Sequence, residues 1–250
     1  MQNIKTMDNA QQILKTQLQI LSLMRQEHCY NYDKLIVFVD AGHGGIHPNT
    51  GRYTTGGKRF RHEQHIGKLH GNGWFYEGVE NRIIAEAYIQ ALSIHQIPYV
   101  RLYHPYEDTP LRARADVANY YLSKGYGGFC ISFHSNASEA HSTEGISIWT
   151  YPGQNKSDEI ATNLFENLEK VFPKEWLLRQ DGDGDPDYEA NFQIFRQTTM
   201  PCIMGEFFHF DHPADVLRLM NKTNQQLYIY QCLLPTTQWY FQELIKKRKS

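Results

Sequence analysis

Residues 35–45 read LIVFVDAGHGG, in which a nearly continuous apolar run is followed by Asp40 and then by His43 among three glycines. An apolar run without polar alternation is typical of a parallel strand that is buried on both faces. In α/β sheets, functional side chains gather beyond the carboxyl ends of such strands. We therefore predict a buried strand over residues 35–39 with His43 at the functional edge. A purely structural histidine remains the alternative that this stretch alone leaves open.

The rest of the chain alternates between short β-rich runs and stretches with apolar residues at helical spacing. This rhythm predicts an α/β fold with a single twisted, mostly parallel β-sheet and helices on both faces. The other predicted strands cover residues 99–103, 129–133, 145–150, 192–195 and 202–207. The predicted helices cover residues 81–95, 109–122, 156–171, 214–233 and 236–247. Thr109 is predicted to cap the second of these helices, and Pro235 to separate the last two.

The composition limits the classes of protein to which the chain can belong. The chain has 250 residues, of which 41% are hydrophobic, and this is enough for a substantial core. A net charge of −2 argues against nucleic-acid binding, and four scattered cysteines predict reduced, buried thiols. No apolar run approaches the roughly 20 residues that span a bilayer. Gln and Lys interrupt every apolar run of the N-terminus, so we expect no secretory signal peptide.

The chain is predicted to have a helical N-terminal extension over residues 1–30 and one larger domain over residues 31–250. Leu14, Leu18 and Leu21 recur at helical spacing within the extension. A long polar insert, at about residues 46–76, interrupts the larger domain. Loops of that length inside compact domains are usually functional or disordered.

Polar side chains that suit metal chemistry follow the predicted strands. His134 comes directly after the strand at 129–133, and Glu206 ends the strand at 202–207. Glu77 stands just before a predicted helix, with Glu80 as a nearby competitor. Two histidines and one carboxylate form a catalytic zinc pattern, which leaves one position open for water. A salt-bridged structural carboxylate is the alternative for Glu206.

Taken together, these segments resemble the zinc-dependent N-acetylmuramoyl-L-alanine amidases of the amidase-3 family. The segments are DAGHGG at 40–45, Glu77 with Asn81 four residues on, SFHSNA at 132–137 and MPCIMGE at 200–206. Leu111, Arg114 and Asn119 match a further helix pattern of that family. The resemblance implies that His43, Glu77 and His134 bind Zn²⁺ and that Glu206 is the catalytic carboxylate. It also implies that residues 31–250 form the catalytic domain.

The sequence departs from the family pattern in two places. Gly78 stands where the family usually has Lys, and the segment between His43 and Glu77 is longer than expected. Arg59 and Arg61 in this insert, with Arg52 and Lys58, are candidates to bind carboxylates of a stem peptide. Trp74, Phe75 and Tyr76 offer flat surfaces for a sugar, and Asn136 is a further candidate for substrate binding. An ordered loop without a function is the alternative for the insert.

The resemblance implies a peptidoglycan hydrolase that cleaves the amide bond between N-acetylmuramic acid and L-alanine. The absence of a recognisable signal peptide favours a phage or prophage lysin, made in the cytoplasm and acting on the cell wall after release. Two alternatives are a catalytically silent peptidoglycan-binding or virion protein, and a zinc peptidase that cuts within the stem peptide. Asp40 is expected either to orient His43 or to serve as a structural turn carboxylate.

An acidic segment, DGDGDPD at residues 181–187, superficially resembles a calcium-binding loop. The closing glutamate of an EF-hand is missing, because the twelfth residue from Asp181 is Phe192 and from Asp183 is Ile194. We therefore predict a solvated acidic loop.

Overall fold

The computed structural model describes residues 32–62, 69–71, 73–179 and 184–249. The predicted N-terminal helix, over residues 1–30, lies outside the described residues. Contacts within the chain group Lys34–Ser250 as one compact unit.

The strands form a six-stranded sheet and a separate two-stranded hairpin. The sheet has the order β4-β1-β5-β8-β6-β7, and β2 pairs with β3 in the hairpin. The strands are β1 (Leu35–Ala41), β2 (Arg59–Arg61), β3 (Trp74–Tyr76), β4 (Tyr99–Arg101), β5 (Gly127–Asn136), β6 (Ser147–Thr150), β7 (Tyr188–Glu189) and β8 (Cys202–His209).

The centre of the sheet is parallel, as the apolar run at its start predicts. β1 pairs in parallel with β4 and β5, and β5 pairs in parallel with β8. Only β6 is antiparallel to its neighbour β8. The carboxyl ends of β1, β5 and β8 therefore meet at one edge of the sheet, which is the edge where His43, His134 and Glu206 occur.

The helices cover both faces of the sheet, which confirms the predicted fold class. On one face, Phe38 and Cys130 pack with Ala118, Ile194 and Phe195 in one hydrophobic cluster. On the other face, ring contacts join Phe133 to Tyr88 and Phe129 to Tyr240. The helices are α1 (Glu77–Ile94), α2 (Leu111–Ser123), α3 (Lys156–Val171), α4 (Gln193–Gln197), α5 (Pro213–Met220), α6 (Lys222–Leu227) and α7 (Leu234–Lys249).

Local chemistry explains why α3 has the predicted bounds. The Asn155 side chain accepts a hydrogen bond from the Ser157 amide, and the Asp158 side chain accepts one from the Asn155 amide. This reciprocal capping box satisfies amide groups that a helix start leaves without partners. Asn155 and Asp158 lie only three residues apart, so the sequence itself indicates where this helix begins.

Two predicted elements are wrong. Residues 192–195 form no strand, because Phe192 precedes the short helix α4, on which Ile194 and Phe195 are buried. A run of so few apolar residues fits either type of element. Thr109 does not cap α2, because its hydroxyl accepts a hydrogen bond from the His104 amide in the preceding loop. Pro110 instead stands at the N-cap in an extended conformation.

The C-terminal helices also differ from their predicted bounds. Asn221 ends α5 and caps α6 by accepting hydrogen bonds from Thr223 and Asn224, so the predicted helix over 214–233 is broken there. Pro235 does not separate two helices, because a π-helical segment, Tyr228–Leu233, leads directly into α7. A π turn is wider than an α turn and accommodates a residue that lacks an amide hydrogen.

The insert contains the hairpin of β2 and β3, in which Arg59 pairs with Tyr76 and Arg61 with Trp74. Its end runs directly into α1, which begins at Glu77. Among the described residues, no helix has the length and apolar character that crossing a membrane requires.

Candidate metal centre and active site

His43, Glu77 and His134 come together at the carboxyl edge of the sheet, as predicted. One side-chain nitrogen or oxygen of each lies within 4.8 Å of those of the other two. His134 Nδ1 is 2.9 Å from Glu77 Oε1, and His43 Nε2 is 3.3 Å from Glu77 Oε2. Three side chains of two types that suit zinc, imidazole and carboxylate, therefore lie close together.

The backbone at the end of β1 is shaped for this approach. The Gly42 amide donates to the Phe133 carbonyl and continues the pairing of β1 with β5. A Cβ atom on Gly42 would lie 2.1 Å from the His134 ring, so no larger residue fits there. His43 follows with a φ of 63°, which is uncommon for a residue other than glycine. This turn directs the chain across the strand end.

Glu77 is held as a charged group. Burial opposes its charge, but the hydrogen bond with His134 and the nearby His43 imidazole outweigh burial and keep the pKa of Glu77 well below its ordinary value. The Asn81 amide nitrogen lies 3.2 Å from the Gly42 carbonyl and 3.5 Å from Glu77 Oε1. Asn81 thus links the carboxylate to the turn that carries His43.

Glu80, the competitor of Glu77, has a different partner. Its Oε2 lies 3.0 Å from His70 Nε2, and its Oε1 accepts a hydrogen bond from Gln225. His70 Nδ1 in turn accepts a hydrogen bond from the Tyr76 amide. Glu80 is therefore paired with His70 and Gln225 and not with His43 or His134.

Glu206 stands opposite His134 in the pairing of β5 with β8. The residue as a whole is half-buried, but its Oε2 atom is buried without a hydrogen-bond partner among the described residues. Burial, followed by the negative charge of Glu77, raises the pKa of Glu206 well above its ordinary value, and Lys58 opposes this rise. A carboxylate that has a raised pKa and an oxygen without a hydrogen-bond partner is suited to accept a proton.

Of the two roles expected for Asp40, the structure supports the structural carboxylate and not the orientation of His43. Asp40 Oδ1 accepts a hydrogen bond from Arg114 Nη1 at 2.6 Å, and its Oδ2 accepts one from the Ser132 hydroxyl at 2.6 Å. Arg114 is almost wholly buried and also donates to the Ala41 and Thr109 carbonyls. Asp40 is thus the buried counter-charge of Arg114, and the pair supports the turn before His43.

Two further residues support the site without a signal in the sequence. Arg82 donates hydrogen bonds to the carbonyls of His43 and Gly78 at 2.8 Å each. The Tyr53 hydroxyl accepts from the Gly78 amide and donates to the Lys58 carbonyl. Nothing in the local pattern distinguishes Arg82 from an ordinary solvent-facing helix arginine, or Tyr53 from other insert residues.

The replacement of the family's usual Lys by Gly78 has a steric reason. A Cβ atom at position 78 would lie 2.0 Å from the Gly44 carbonyl oxygen. In this chain, the first turn of α1 therefore packs directly on the turn after His43.

A cavity of about 380 Å³ opens beside the histidine pair. It is lined on one side by Gly42, His43 and His134 and on the other by the segment from Asp108 to Leu111 at the start of α2. A substrate can therefore reach the two histidines from this side.

The predicted substrate-binding residues of the insert share one face of the hairpin. Arg59 lies over the Trp74 ring, with 4.7 Å between the guanidinium carbon and the ring centroid, and Trp74 stacks on Tyr76. Arg61 pairs with Trp74 and lies on the same face. The expectation that Phe75 offers a surface to a sugar is wrong, because Phe75 is fully buried and stacks on Phe210.

Asn136 lies on β5, two residues beyond His134. Its side-chain oxygen accepts a hydrogen bond from the Ala137 amide at 2.8 Å, so part of its polar capacity is used in the local turn. The role of Asn136 in substrate binding stays a prediction.

A second group of possible ligands lies at Glu144, His212 and Asp215. Arg218 Nη1 already lies 2.6 Å from Glu144 Oε2 and 2.7 Å from Asp215 Oδ1. Because the guanidinium supplies the positive charge there, this group needs no metal.

Comparison with protein families identifies the chain. The model of the Amidase_3 family, described as N-acetylmuramoyl-L-alanine amidase, matches residues 37–233. The chain belongs to the Amidase_3 family. This confirms the resemblance inferred from the four sequence segments.

Members of the family with known structures share the fold. The amidase AmiC2 of Nostoc punctiforme has 18% identity and a TM-score of 0.60, covering 84% of this chain and 98% of that chain. An N-acetylmuramoyl-L-alanine amidase from Clostridium difficile 630 has 23% identity and a TM-score of 0.56, covering 80% and 95%. At these identities the likeness establishes the fold.

Among curated proteins, the chain resembles the probable cell wall amidase LytH of Staphylococcus aureus. The two are 23% identical over 115 residues, which is 46% of this chain and 36% of LytH. The match thus spans about a third of the length of that relative.

The buried pair of Arg114 and Asp40 leads to a test of stability. We expect Arg114→Met to lower the free energy of unfolding by about 3–5 kcal/mol, because it leaves Asp40 buried without its counter-charge. Arg112→Met on the same helix is the matched control, since it removes only an exposed pair with Asp116, worth about 0.3–0.5 kcal/mol. Urea unfolding followed by circular dichroism measures both changes, and equal losses would contradict the assignment.

Proposed function

We propose that this protein is a zinc-dependent N-acetylmuramoyl-L-alanine amidase that hydrolyses the amide bond between N-acetylmuramic acid and L-alanine in peptidoglycan. One observation carries the proposal: the ligand atoms of His43, Glu77 and His134 converge at the edge of the sheet where Glu206 also stands. We assign the activity to residues 31–250, with residues 46–76 as an insert that contributes to substrate binding.

The donor set fits zinc. Two imidazoles and one carboxylate are the usual protein ligands of a catalytic zinc site with an open position. His43 Nε2 and Glu77 Oε2 are buried without hydrogen-bond partners among the described residues, and a cation held by both would satisfy them. When bound, zinc supplies a Lewis acid that polarises a carbonyl oxygen and lowers the pKa of water.

Glu206 is proposed to move the proton. Its unpartnered Oε2 is available to accept a proton from the attacking water and to deliver it to the amide nitrogen as the carbon–nitrogen bond breaks. The raised pKa of Glu206, caused first by burial, favours proton uptake. The two products are a free lactyl carboxylate on the sugar and a stem peptide that begins with L-alanine.

The outer face of the hairpin, formed by Arg59, Arg61, Trp74 and Tyr76, is proposed to contact the substrate. Arg59 and Arg61 are exposed cations and suit the carboxylates of a stem peptide. The stacked rings of Trp74 and Tyr76 suit the apolar face of a sugar. Asn136, at the end of β5, is proposed as a further hydrogen-bonding residue for the substrate.

The expectation of a phage or prophage lysin is a narrower form of this proposal. A lysin and a cellular wall amidase act on the same bond in the cell wall. The residues of the site fit both equally.

The central test separates metal binding from proton transfer. We expect Glu206→Gln to retain zinc and to lose about 10²–10⁴-fold in rate, because it removes only the proton carrier. Glu77→Gln should lose zinc and activity together, since it removes a charged ligand. Zinc content is measured by elemental analysis, and products of purified peptidoglycan by mass spectrometry.

Glu175→Gln, at an exposed position, is the matched control and should keep both properties. Stem peptides that begin with L-alanine support the proposed bond. Cuts within the peptide would replace the amidase by a zinc peptidase. Intact peptidoglycan after treatment with zinc-loaded protein would favour a silent binding protein.

A second test concerns the hairpin. We expect Trp74→Ala to raise KM for peptidoglycan fragments by about twofold to tenfold with little change in kcat, because the ring binds substrate away from the reacting bond. Trp239→Ala on α7, also half-buried but remote from the site residues in the sequence, is the control for loss of a tryptophan. A fall in kcat at unchanged KM would contradict the assignment of Trp74 to substrate binding.

A further inference from the structure

The acidic segment at residues 181–187 does not have the predicted solvated character where it is described. Asp187 is fully buried at 0% exposure. Asp158, which is distant in the sequence, is also buried at 8% exposure. Asp181 and Asp183 lie outside the described residues. A buried carboxylate needs a partner for its charge, so the groups that surround Asp187 decide how this charge is stabilised.

Three elements bring oxygen atoms together around Asp187. Thr150 ends β6, Asp187 stands directly before β7, and Asp158 lies in the first turn of α3. The Thr150 hydroxyl donates to Asp187 Oδ2 at 2.6 Å and also faces the Asp158 carboxylate. The Asn155 amide donates to Asp158 Oδ2, but the Thr150 proton cannot serve both carboxylates, so this group of side chains is short of positive charge.

Two of these carboxylate oxygens lack any partner among the described residues. Asp187 Oδ1 and Asp158 Oδ1 are each buried without a hydrogen bond. Neither residue forms an ion pair with a described lysine or arginine. Asp185 lies close to both carboxylates and adds a further negative charge. A buried carboxylate oxygen that faces other carboxylates is stabilised either by a cation or by a proton shared between two carboxyl groups, as between Asp187 and Asp185.

The group is open to solvent on one side. A groove of about 830 Å³ is lined by Asp158 and Asp185, together with Trp239. Lys156 lines the same groove, but it makes no ion pair with Asp158 or Asp187. An ion can therefore approach Asp158 and Asp185 from solution, whereas Asp187 and Thr150 do not line the groove and are fully buried.

We propose that Asp158, Asp185 and Asp187, with the Thr150 hydroxyl, bind a calcium ion that joins β6, β7 and α3. Calcium binds six to eight oxygen atoms in flexible geometry, which suits ligands drawn from three separate elements. Magnesium demands a nearly ideal octahedron and fits such a set less well. The site is not an EF-hand, because Asp158 comes from another element and the closing glutamate is missing.

This site is separate in position and in chemistry from the histidine pair. β6 runs antiparallel to β8, with Ser147 opposite Glu206 and Trp149 opposite Met204. Thr150 therefore lies toward the amino end of β8, away from the edge that carries Glu206. Oxygen donors favour calcium, whereas imidazole nitrogens favour zinc, so each ion has its own site.

The experiment is a calcium titration of the zinc-loaded protein in calcium-free buffer, followed by thermal unfolding. We expect calcium to raise Tm by about 5 °C or more at a hundredfold excess over Kd, because the ion binds only the folded state. Terbium is the second probe, since Trp239 and Tyr188 lie near enough to the site to sensitise its luminescence. Calcium should displace the terbium signal.

Asp187→Asn removes the buried charge while its side-chain oxygen still accepts from Thr150. We expect this variant to lose the calcium-dependent rise in Tm and, without calcium, to be at least as stable as the wild type. Asp185→Asn, at a half-buried position, should also weaken the response. Asp116→Asn, at an exposed position on α2, is the matched control and should keep the full response.

Three results would overturn the proposal. One is an unchanged Tm of the wild type in 10 mM calcium, which is about tenfold above the upper end, roughly 1 mM, of calcium dissociation constants for extracellular modules. Another is a calcium response that Asp187→Asn and Asp185→Asn both retain. The third is an equal response to magnesium, which would exclude a site selective for calcium.

Discussion

The candidate active site depends on a buried ion pair that touches none of its reacting groups. Arg114 carries its charge into the interior, where Asp40 is its buried counter-charge and the more exposed Asp108 is a second partner at 3.2 Å, and it also donates to the carbonyls of the adjacent turns. A buried charge of this kind is tolerated only when its geometry and hydrogen bonds are nearly complete. The end of β1 is therefore fixed relative to α2. His43, three residues beyond Asp40, takes its unusual backbone conformation from that fixed point.

The sheet and its strand-end residues could be predicted because their signals are local and strong. Continuous apolar runs mark β1, β5 and β8, and parallel pairing brings their carboxyl ends together without further information. The start of α3 is equally local, because both halves of its capping box lie within four residues. The prediction of a strand at residues 192–195 is wrong because the local signal there is weak. Four residues are too few to show a period, and only packing against the sheet determines that Ile194 and Phe195 face inward from a helix.

The residues around the proposed metal ligands are less visible in the sequence than those ligands. His43, Glu77 and His134 are rare types at strand ends, whereas Arg82 is a common type on a helix. The importance of Arg82 comes from the carbonyls of His43 and Gly78, which reach it through the tertiary fold. The role of Asp40 is equally hard to predict from the sequence, since its partner Arg114 is 74 residues away. Local pattern indicates which residues can do chemistry, but long-range contacts decide which residues support them.

The two ends of the central strands carry different types of metal-binding atoms. At the carboxyl edge, imidazoles and a carboxylate with an adjacent cavity suit a metal that must exchange water and substrate. Near the amino edge, the proposed calcium ligands are oxygen atoms packed between β6, β7 and α3, where an ion would neutralise charge and hold elements together. β6 is the strand that connects these regions, because it pairs with β8 at Glu206 and ends at Thr150. An ion that secures the far end of β6 would thereby steady the pairing beside Glu206 without competing for the ligands of the reaction centre.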